Sequence, residues 1–530
     1  MVKYSPPQPY FQEQDDLLFA LKPAKLMTHQ STAALIGFKE YLEFQLKIPL
    51  WVTHRLDLGT SGVMVFAKSK AAAQKMALLF KENKVTKKDY FVFRGPRPPW
   101  TLKKEKTRVE TEAAQTDIFY INSLSDQDHL FCAVPFTDKN HQIQKHAAEI
   151  NIPILGDKTY GKQRFSRLML FAQEIEFEWN QKSVQFQNPF LHFASANQFR
   201  KLMNPFFLSY LDRKYLFHSS NPDLCYRLTH ESNFPIKIDR FGKKMALYNY
   251  ENPLQEKTNQ DLKEFEKWMM ELEQTNFLPL QSMENRGAIP KNDKTQLPSH
   301  ENWVAQENGM SFSLRRDRGL SCGLFLDQRE NRKFVFENSK EKNVLNLFAY
   351  TSGFSLAAAL GGAKSVCTVD VSPTFIQWSK ENFELNHLEL NKYEFWVQES
   401  MLFMKACKKR NRRFDLIICD PPSLGRNKDQ VFRIDKDWET LISLCESVLA
   451  KNGMILFSNN YEKWSYKTWY QKLRAWNKFG FEINLGLRSS DYEAFHSNPI
   501  MKSFFMTRGN QSVDIPPHCK ITSDSDLMGI

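Results

Sequence analysis

Cysteine is scarce and scattered. The eight thiols, at 132, 225, 322, 367, 407, 419, 445 and 519, include no C-x-x-C pair and no histidine partner at metal-ligand spacing. Reduced thiols, no metal site and a cytoplasmic address are therefore expected. Long apolar runs are missing too: none approaches the roughly 18 residues of a membrane span. The opening MVKYSPPQPYFQEQDD has no apolar signal core, so a soluble intracellular protein without membrane contact is expected. Acidic charge is the sign in short supply, 60 Asp and Glu against 72 Lys and Arg. Because 42% of the chain is hydrophobic and 13% aromatic, the excess of +12 sits on a folded protein. A basic face favours polyanions, nucleic acid first among them.

At 530 residues the chain is too long for one core and should divide into several domains. No internal repeat is visible. Up to about residue 200 short β-like runs such as SGVMVFAKS, KKDYFVFRG and HLFCAVPF alternate with turns, which predicts a strand-rich α+β fold. Asn, Pro and Ser cluster between 201 and 222 and mark a boundary. A second β-like patch follows, then a helical stretch near 253–275 and the polar run MENRGAIPKNDKTQLPSHEN. From 343 the text becomes strand, turn, helix, repeated, as in a parallel Rossmann-like α/β sheet. The expected segments are 1–205, a linker with a small β-rich, RNA-binding segment at 206–342, and 343–530.

In THRLDLGTSGVMVFAKSKAAA, residues 53–73, an Arg and an Asp stand two apart beside a His. Such a pair is more often structural than catalytic. The order of KPAKLMTH, THRLDLGTSG, VTKKDYFVF, NHQIQKHAAEINIPILGDKTYG and RLMLFAQEIEF resembles the RluA-type pseudouridine synthases over about residues 15–195. That resemblance implies conversion of uridine to pseudouridine, in which a C–N glycosidic bond breaks and a C–C bond forms without an outside reagent. The chemistry asks for an ionised carboxylate against a flipped-out nucleotide. Carried over, Asp57 is the catalytic acid, Arg55 the cation beside it that lowers its pKa, and Tyr90 the ring that stacks on the base and transfers a proton. The chain departs from the family at four places. Lys139 and Gln144 replace the two arginines of G-R-T-H-Q-I-R, the second of which pairs with the Asp. Lys25 replaces a Gly, and Phe171 a His. Read as a strand, the block would turn Lys145 away. A remnant that binds RNA without catalysis is the alternative reading of this half.

The second constellation is NVLNLFAYTSGFSLAAALGGAKSVCTVDVSP, residues 343–373. A strand, a small-residue turn ending at Gly353, a helix and a second strand closing on Asp370 make a nucleoside site, the acid accepting hydrogen bonds from ribose hydroxyls. One Gly stands where a dinucleotide turn has three, so S-adenosylmethionine is favoured over NAD. Roughly 70 residues on, FDLIICDPPSLGRNK puts Asp-Pro-Pro at a strand end. Prolines there remove two N–H groups and stiffen the turn. With CYRLTHESNFPIKIDRFG, GLFLDQRENR, GMILFSNN and LRSSDYEAFHSNP, the region 222–508 resembles the guanine-N7 half of the bifunctional large-subunit rRNA methyltransferases and, more distantly, the rRNA cytosine-C5 enzymes. The resemblance implies that Asn346, Phe348, Tyr350, Ser352 and Gly353 line the cofactor turn, that Asp370 holds the ribose, and that Asp420 and Pro421 border the target base. The acid expected near the adenine falls on Ser400, with Glu399 beside it. Cytosine C5 needs a thiolate to activate the ring, yet Cys419 precedes Asp420 on a buried strand and Cys445 falls in a helix. Guanine N7 carries its own lone pair, so the purine is favoured. Basic runs at KACKKRNRRF, with six basic residues in nine, KENKVTKKDY and LKKEKTR are the expected phosphate contacts. The expected partner is large-subunit rRNA or a pre-ribosomal particle. The rival from another class is an assembly factor that only grips rRNA.

Overall fold

The computed structural model describes residues 8–29, 36–102, 106–111, 114–193, 195–218, 221–229, 236–249, 255–273, 276–277, 281–282, 302–315, 321–426, 431–487, 501–508, 515–516 and 519–521. The polar run 283–301 and nearly all of LRSSDYEAFHSNP lie outside them.

Leu17–Lys22 is buried along its whole length, and its alternation serves two cores. Leu17, Phe19 and Leu21 enter the core of the first unit, while Leu18 and Ala20 enter a second cluster on the opposite face. The strand belongs to a ten-stranded mixed sheet whose main path runs Phe11–Gln14, Leu17–Lys22, Ser61–Ala67, Leu170–Trp179, Val85–Arg94, Asp128–Pro135, Ala114–Ser123, Lys106–Thr111. Ser61–Ala67 and Leu170–Trp179 pair in parallel; the other pairings in this sheet are antiparallel. This is the strand-rich fold expected for the first 200 residues.

The expected break at 201–222 holds a buried helix instead. Asn204 caps Pro205–Leu216, accepting from Phe206 N and Phe207 N, and a proline fills the first turn where no N–H is needed. Phe206, Phe207, Tyr210 and Leu216 share one cluster with Leu18, Phe38 and Tyr41 before them and with Tyr226, Leu228 and Ile238 after them. Of the polar letters that suggested a linker in this apolar joint, Asn204 caps the helix and Ser209 is buried, donating to Leu228 O at 2.9 Å. The middle sheet, Cys225–Thr229, Ile236–Phe241 and Lys244–Asn249, rests on this joint beside the helix Glu256–Glu273.

The third sheet runs Glu394–Val397, Ser365–Asp370, Asn343–Leu347, Phe414–Cys419, Leu449–Asn459, Lys502–Arg508, Phe481–Leu485. Lys502–Arg508 alone runs against the other strands, antiparallel to both Leu449–Asn459 and Phe481–Leu485. From Asn343–Leu347 the chain first builds outward to Glu394–Val397, then returns to the other side at Phe414–Cys419. Leu347 and Cys419 are register partners at this switch, so the residues that follow each, Phe348 and Asp420, flank the crevice where such sheets bind ligands. The hairpin Asn302–Glu307/Met310–Arg315 docks onto this body, where Asn386 and Asn382 accept from Ser311 N and Ser313 N, both at 2.9 Å.

Candidate active sites

In the first unit a cleft of about 210 Å³ is lined by Asp57 and Arg55, by Lys87 and Asp89, and by the Thr137–Gln144 segment. Gln142 holds that segment in place. Its Oε1 accepts from Thr137 Oγ1 and Lys139 N, and its Nε2 donates to Gln115 O and Thr116 Oγ1. The segment leads into a helix, Gln142–Glu149, so the strand condition on which Lys145 would turn away does not apply. Helical spacing buries Gln144 and leaves Lys145 in solvent.

Gln144 does not take up the missing arginine's partner. Its Nε2 donates to Asp157 Oδ2 at 3.0 Å. Arg55, expected beside Asp57, donates instead to Asn140 Oδ1 at 3.1 Å. Among the described residues no side chain hydrogen-bonds or ion-pairs with the Asp57 carboxylate. Lys22 is fully buried and lowered to about 7 by burial first, with Asp212 and Asp57 opposing the shift and Arg167 adding to it. Lys25 shows why a glycine is usual at its position: its φ is +65°, and its N–H closes the turn on Leu58 O at 2.7 Å.

Tyr90 is not in this cleft. Neighbours on a strand face opposite sides, and Val85–Arg94 turns Lys87 and Asp89 toward Asp57. Tyr90 points to the other face, stacked on Phe193 with ring centroids 4.3 Å apart. Burial pushes its hydroxyl up to about 12. Asp89 was not read from the sequence as a site residue, because an acid inside K-D-Y looks like surface. Burial raises its carboxyl to about 7, with Lys87 opposing the shift and Asp138 adding to it. His54 lies buried beside it and is lowered to about 3 by burial, and it accepts from Val65 N. Phe171, at the family's His position, is fully buried and lies under the Arg167 guanidinium at 5.2 Å.

In the third unit the turn after Asn343–Leu347 is held by an acid and by unusual backbone. Asp370 Oδ2 accepts from Tyr350 N and Oδ1 from Ser372 N, both at 2.9 Å. Burial raises its pKa while these N–H groups oppose the rise. Phe348, Tyr350 and Ser352 all carry left-handed φ, +56°, +50° and +66°, a clustering that marks functional turns. Gly353 opens the following helix, Gly353–Leu360, and a Cβ there would come within 3.1 Å of Arg332.

Of the residues expected to line this turn, two spend their side chains inside the core. Asn346 Nδ2 donates to Ser355 Oγ at 2.9 Å, and Ser352 pairs with Ser379. Tyr350 packs among Phe325, Phe375 and Trp378 and donates to Ser321 O. Ser400 is buried at the start of a helix. Glu399 caps that helix, accepting from Met401 N at 2.9 Å and Leu402 N at 2.7 Å, so its carboxylate already has a structural task.

Asp420 ends Phe414–Cys419 and is raised to about 7, by burial first and then by Asp327, while Gln328 and Arg332 oppose the shift. Gln328 Nε2 donates to Asp420 Oδ2 at 3.3 Å and is itself held by Asn331, which also reaches Ser503. Arg332 forks onto buried Glu307 at 2.6 and 2.7 Å. These residues lie in LDQRENR, whose charged letters look like a solvated helix; the structure buries them behind Asp420. Pro421 is buried and Pro422 exposed. All eight cysteines are buried and none forms a disulfide. Cys445 Sγ contacts Met404 Sδ at 3.7 Å, and burial pushes the Cys419 thiol far up. In the basic run 405–413, Lys408, Lys409 and Arg410 face solvent, while Arg412 is tied to Glu394.

Comparison with known proteins agrees with both geometries. Residues 16–149 match the RNA pseudouridylate synthase family. Residues 290–463 match the S-adenosylmethionine-dependent methyltransferase family. The chain carries a segment similar to each of these families, in that order. It is 34% identical over 238 residues to ribosomal RNA large subunit methyltransferase K of Neisseria meningitidis, covering 43% of this chain and 66% of that one. It is 41% identical over 167 residues to methyltransferase K/L of Shewanella oneidensis, covering 31% and 23%. The matches thus span from under a quarter to about two thirds of these curated relatives. Among solved structures, a candidate methyltransferase in complex with SAH is 28% identical at a TM-score of 0.50, covering 64% of this chain and 88% of that one.

The methyltransferase domain's residues fit S-adenosylmethionine. A carboxylate has about four lone-pair sites; Asp370 accepts from Tyr350 and Ser372, and the Val371 N–H also acts on it, which still leaves acceptor capacity for a ribose hydroxyl. Val371 follows with half its surface open and offers an apolar platform next to that acid.

Proposed function

We propose that this chain modifies large-subunit ribosomal RNA twice, methylating a guanine at N7 and isomerising a uridine to pseudouridine. The observation that carries the first activity is Asp420 at the switch point with no thiol facing it. Bound S-adenosylmethionine supplies an electrophilic methyl group. Asp370 and the 348–353 turn hold the nucleoside moiety, and Pro421 stiffens the turn beside the target base. Guanine N7 then needs alignment and an acid opposite the positive charge that develops on the ring. Asp420 provides that acid, and its link to Gln328 fixes its direction. A cytosine reading would need a cysteine that both buried thiols fail to provide.

For the synthase domain, Asp57 is the carboxylate that works on the nucleotide, and the proton-accepting role expected of Tyr90 goes to Asp89, which shares the cleft and titrates near neutrality. A second reading rests on a specific observation: Gln144 is committed to Asp157 and Arg55 to Asn140, so among the described residues no guanidinium holds Asp57. On that reading the first cleft grips RNA without isomerising it.

Nucleoside mass spectrometry of rRNA from a strain lacking the protein separates these. Loss of both 7-methylguanosine and pseudouridine at particular sites is the expected result, restored for methylation but not for pseudouridine by Asp57→Asn. Loss of methylation alone selects the second reading, and Gln144→Arg then becomes the variant to assay for gained isomerase activity. Loss of 5-methylcytidine instead would overturn the N7 assignment.

A further inference from the structure

Immediately after Asp420-Pro421-Pro422 the chain forms a two-stranded hairpin, Leu424–Arg426 against Val431–Arg433. Its register pairs Leu424 with Arg433, Gly425 with Phe432 and residue 426 with Val431. Directly opposed residues share a face, and alternation separates the two faces. The inner face carries Gly425 and Phe432. Phe432 meets Phe348 of the cofactor turn with centroids 5.7 Å apart, and a Cβ on Gly425 would sit 3.5 Å from Pro422. The hairpin base is fixed where Ile434 N donates to Ser423 O at 3.2 Å and Ser423 Oγ donates to Asn460 Oδ1 at 2.7 Å. The outer face carries Leu424 and Val431, exposed to 53% and 56%, with Arg433 across from Leu424.

Two large aliphatic side chains stand in water on the hairpin that follows Asp420 and packs on the cofactor turn through Phe432, and their exposure gains nothing for the folded chain alone. A base inside an RNA helix cannot reach Asp420 without leaving its stack, and the gap it leaves costs stacking energy. Apolar side chains are what proteins insert into such gaps. Arg433 makes an exposed ion pair with Asp435 at 3.0 Å; such a pair is weak in water, so a phosphate can replace the carboxylate.

On the methyltransferase reading above, we propose that Leu424 and Val431 form an apolar wedge that enters a ribosomal RNA helix and fills the place of the flipped-out target base, with Arg433 meeting the adjoining phosphate. The test uses the full chain, labelled S-adenosylmethionine and naked, folded large-subunit rRNA from a strain lacking the protein. The double variant Leu424→Ala/Val431→Ala should lose methyl transfer by about tenfold or more, the scale set by unstacking a base step, with S-adenosylmethionine affinity unchanged by calorimetry. Leu424→Ile/Val431→Leu, which keeps apolar bulk, should stay within about twofold of wild type. An alanine variant as fast as wild type overturns the proposal, and so does an isoleucine/leucine variant as slow as alanine. A loss seen only with ribosomal particles assigns the face to a ribosomal protein and overturns it as well. If the wild type labels no rRNA, the methyltransferase reading fails first and takes the wedge with it.

Discussion

Asp370 and Asp420 both close strands of one sheet, but their surroundings give them different work. Asp370 accepts two backbone N–H groups and organises a turn; Asp420 accepts one amide and sits within reach of another acid's field. Asp370→Ala should weaken S-adenosylmethionine binding by about 1–3 kcal/mol, the cost of leaving polar partners unmet; unchanged affinity in calorimetry would remove Asp370 from the site. Asp420, raised to about 7 by burial, is protonated below that pH and charged above it. Only the charged form opposes a cationic purine, so methyl transfer should rise as pH increases through about 7. Asp420→Asn should be slow and flat across the same range. A wild-type profile without that rise would separate the acid from the chemistry.

Elements decide what these residues can reach. The helix Gln142–Glu149 takes Gln144 to Asp157 because helical spacing, unlike a strand, turns that position inward. The helix Ser400–Lys409 depends on Glu399, whose carboxylate meets two orphan N–H groups. Glu399→Ala should therefore cost about 1 kcal/mol of stability through the lost cap, read as a lower midpoint in thermal unfolding. S-adenosylmethionine affinity at a temperature where both proteins are folded should be unchanged. A large loss of affinity would mean that Glu399 takes over the adenine contact vacated at Ser400.

At the scale of the whole molecule the first unit and the middle sheet are joined by apolar surface. The helix Pro205–Leu216 shares its cluster with both the first sheet and the middle sheet, and Arg329 lies over the Phe217 ring at 4.5 Å. Cutting the chain at residue 222, where the sequence suggests a linker, strips Phe206, Phe207, Tyr210 and Phe217 from Tyr226 and Leu228. The segment 222–530 should unfold at lower denaturant than full-length protein, or aggregate. A segment as stable as the intact chain would show the joint to be dispensable.

Much of this architecture was present in the order of letters. HRLD, the turn at 348–353 with Asp370, and the Asp-Pro-Pro are local patterns whose spacing carries their chemistry, and the third unit's alternation of strand and helix follows from periodicity. What only the tertiary structure decided is which way side chains face once strands pair. Asp89 rather than Tyr90 enters the first cleft because of one residue of strand alternation. LDQRENR, polar except for Leu326, is buried because Asp420, Glu307 and Ser503 arrive from distant parts of the chain to pair with it. Lys25 can stand where a glycine is usual because the turn tolerates φ at +65°. The linker became a joint because burial depends on partners far along the chain, which no local window contains.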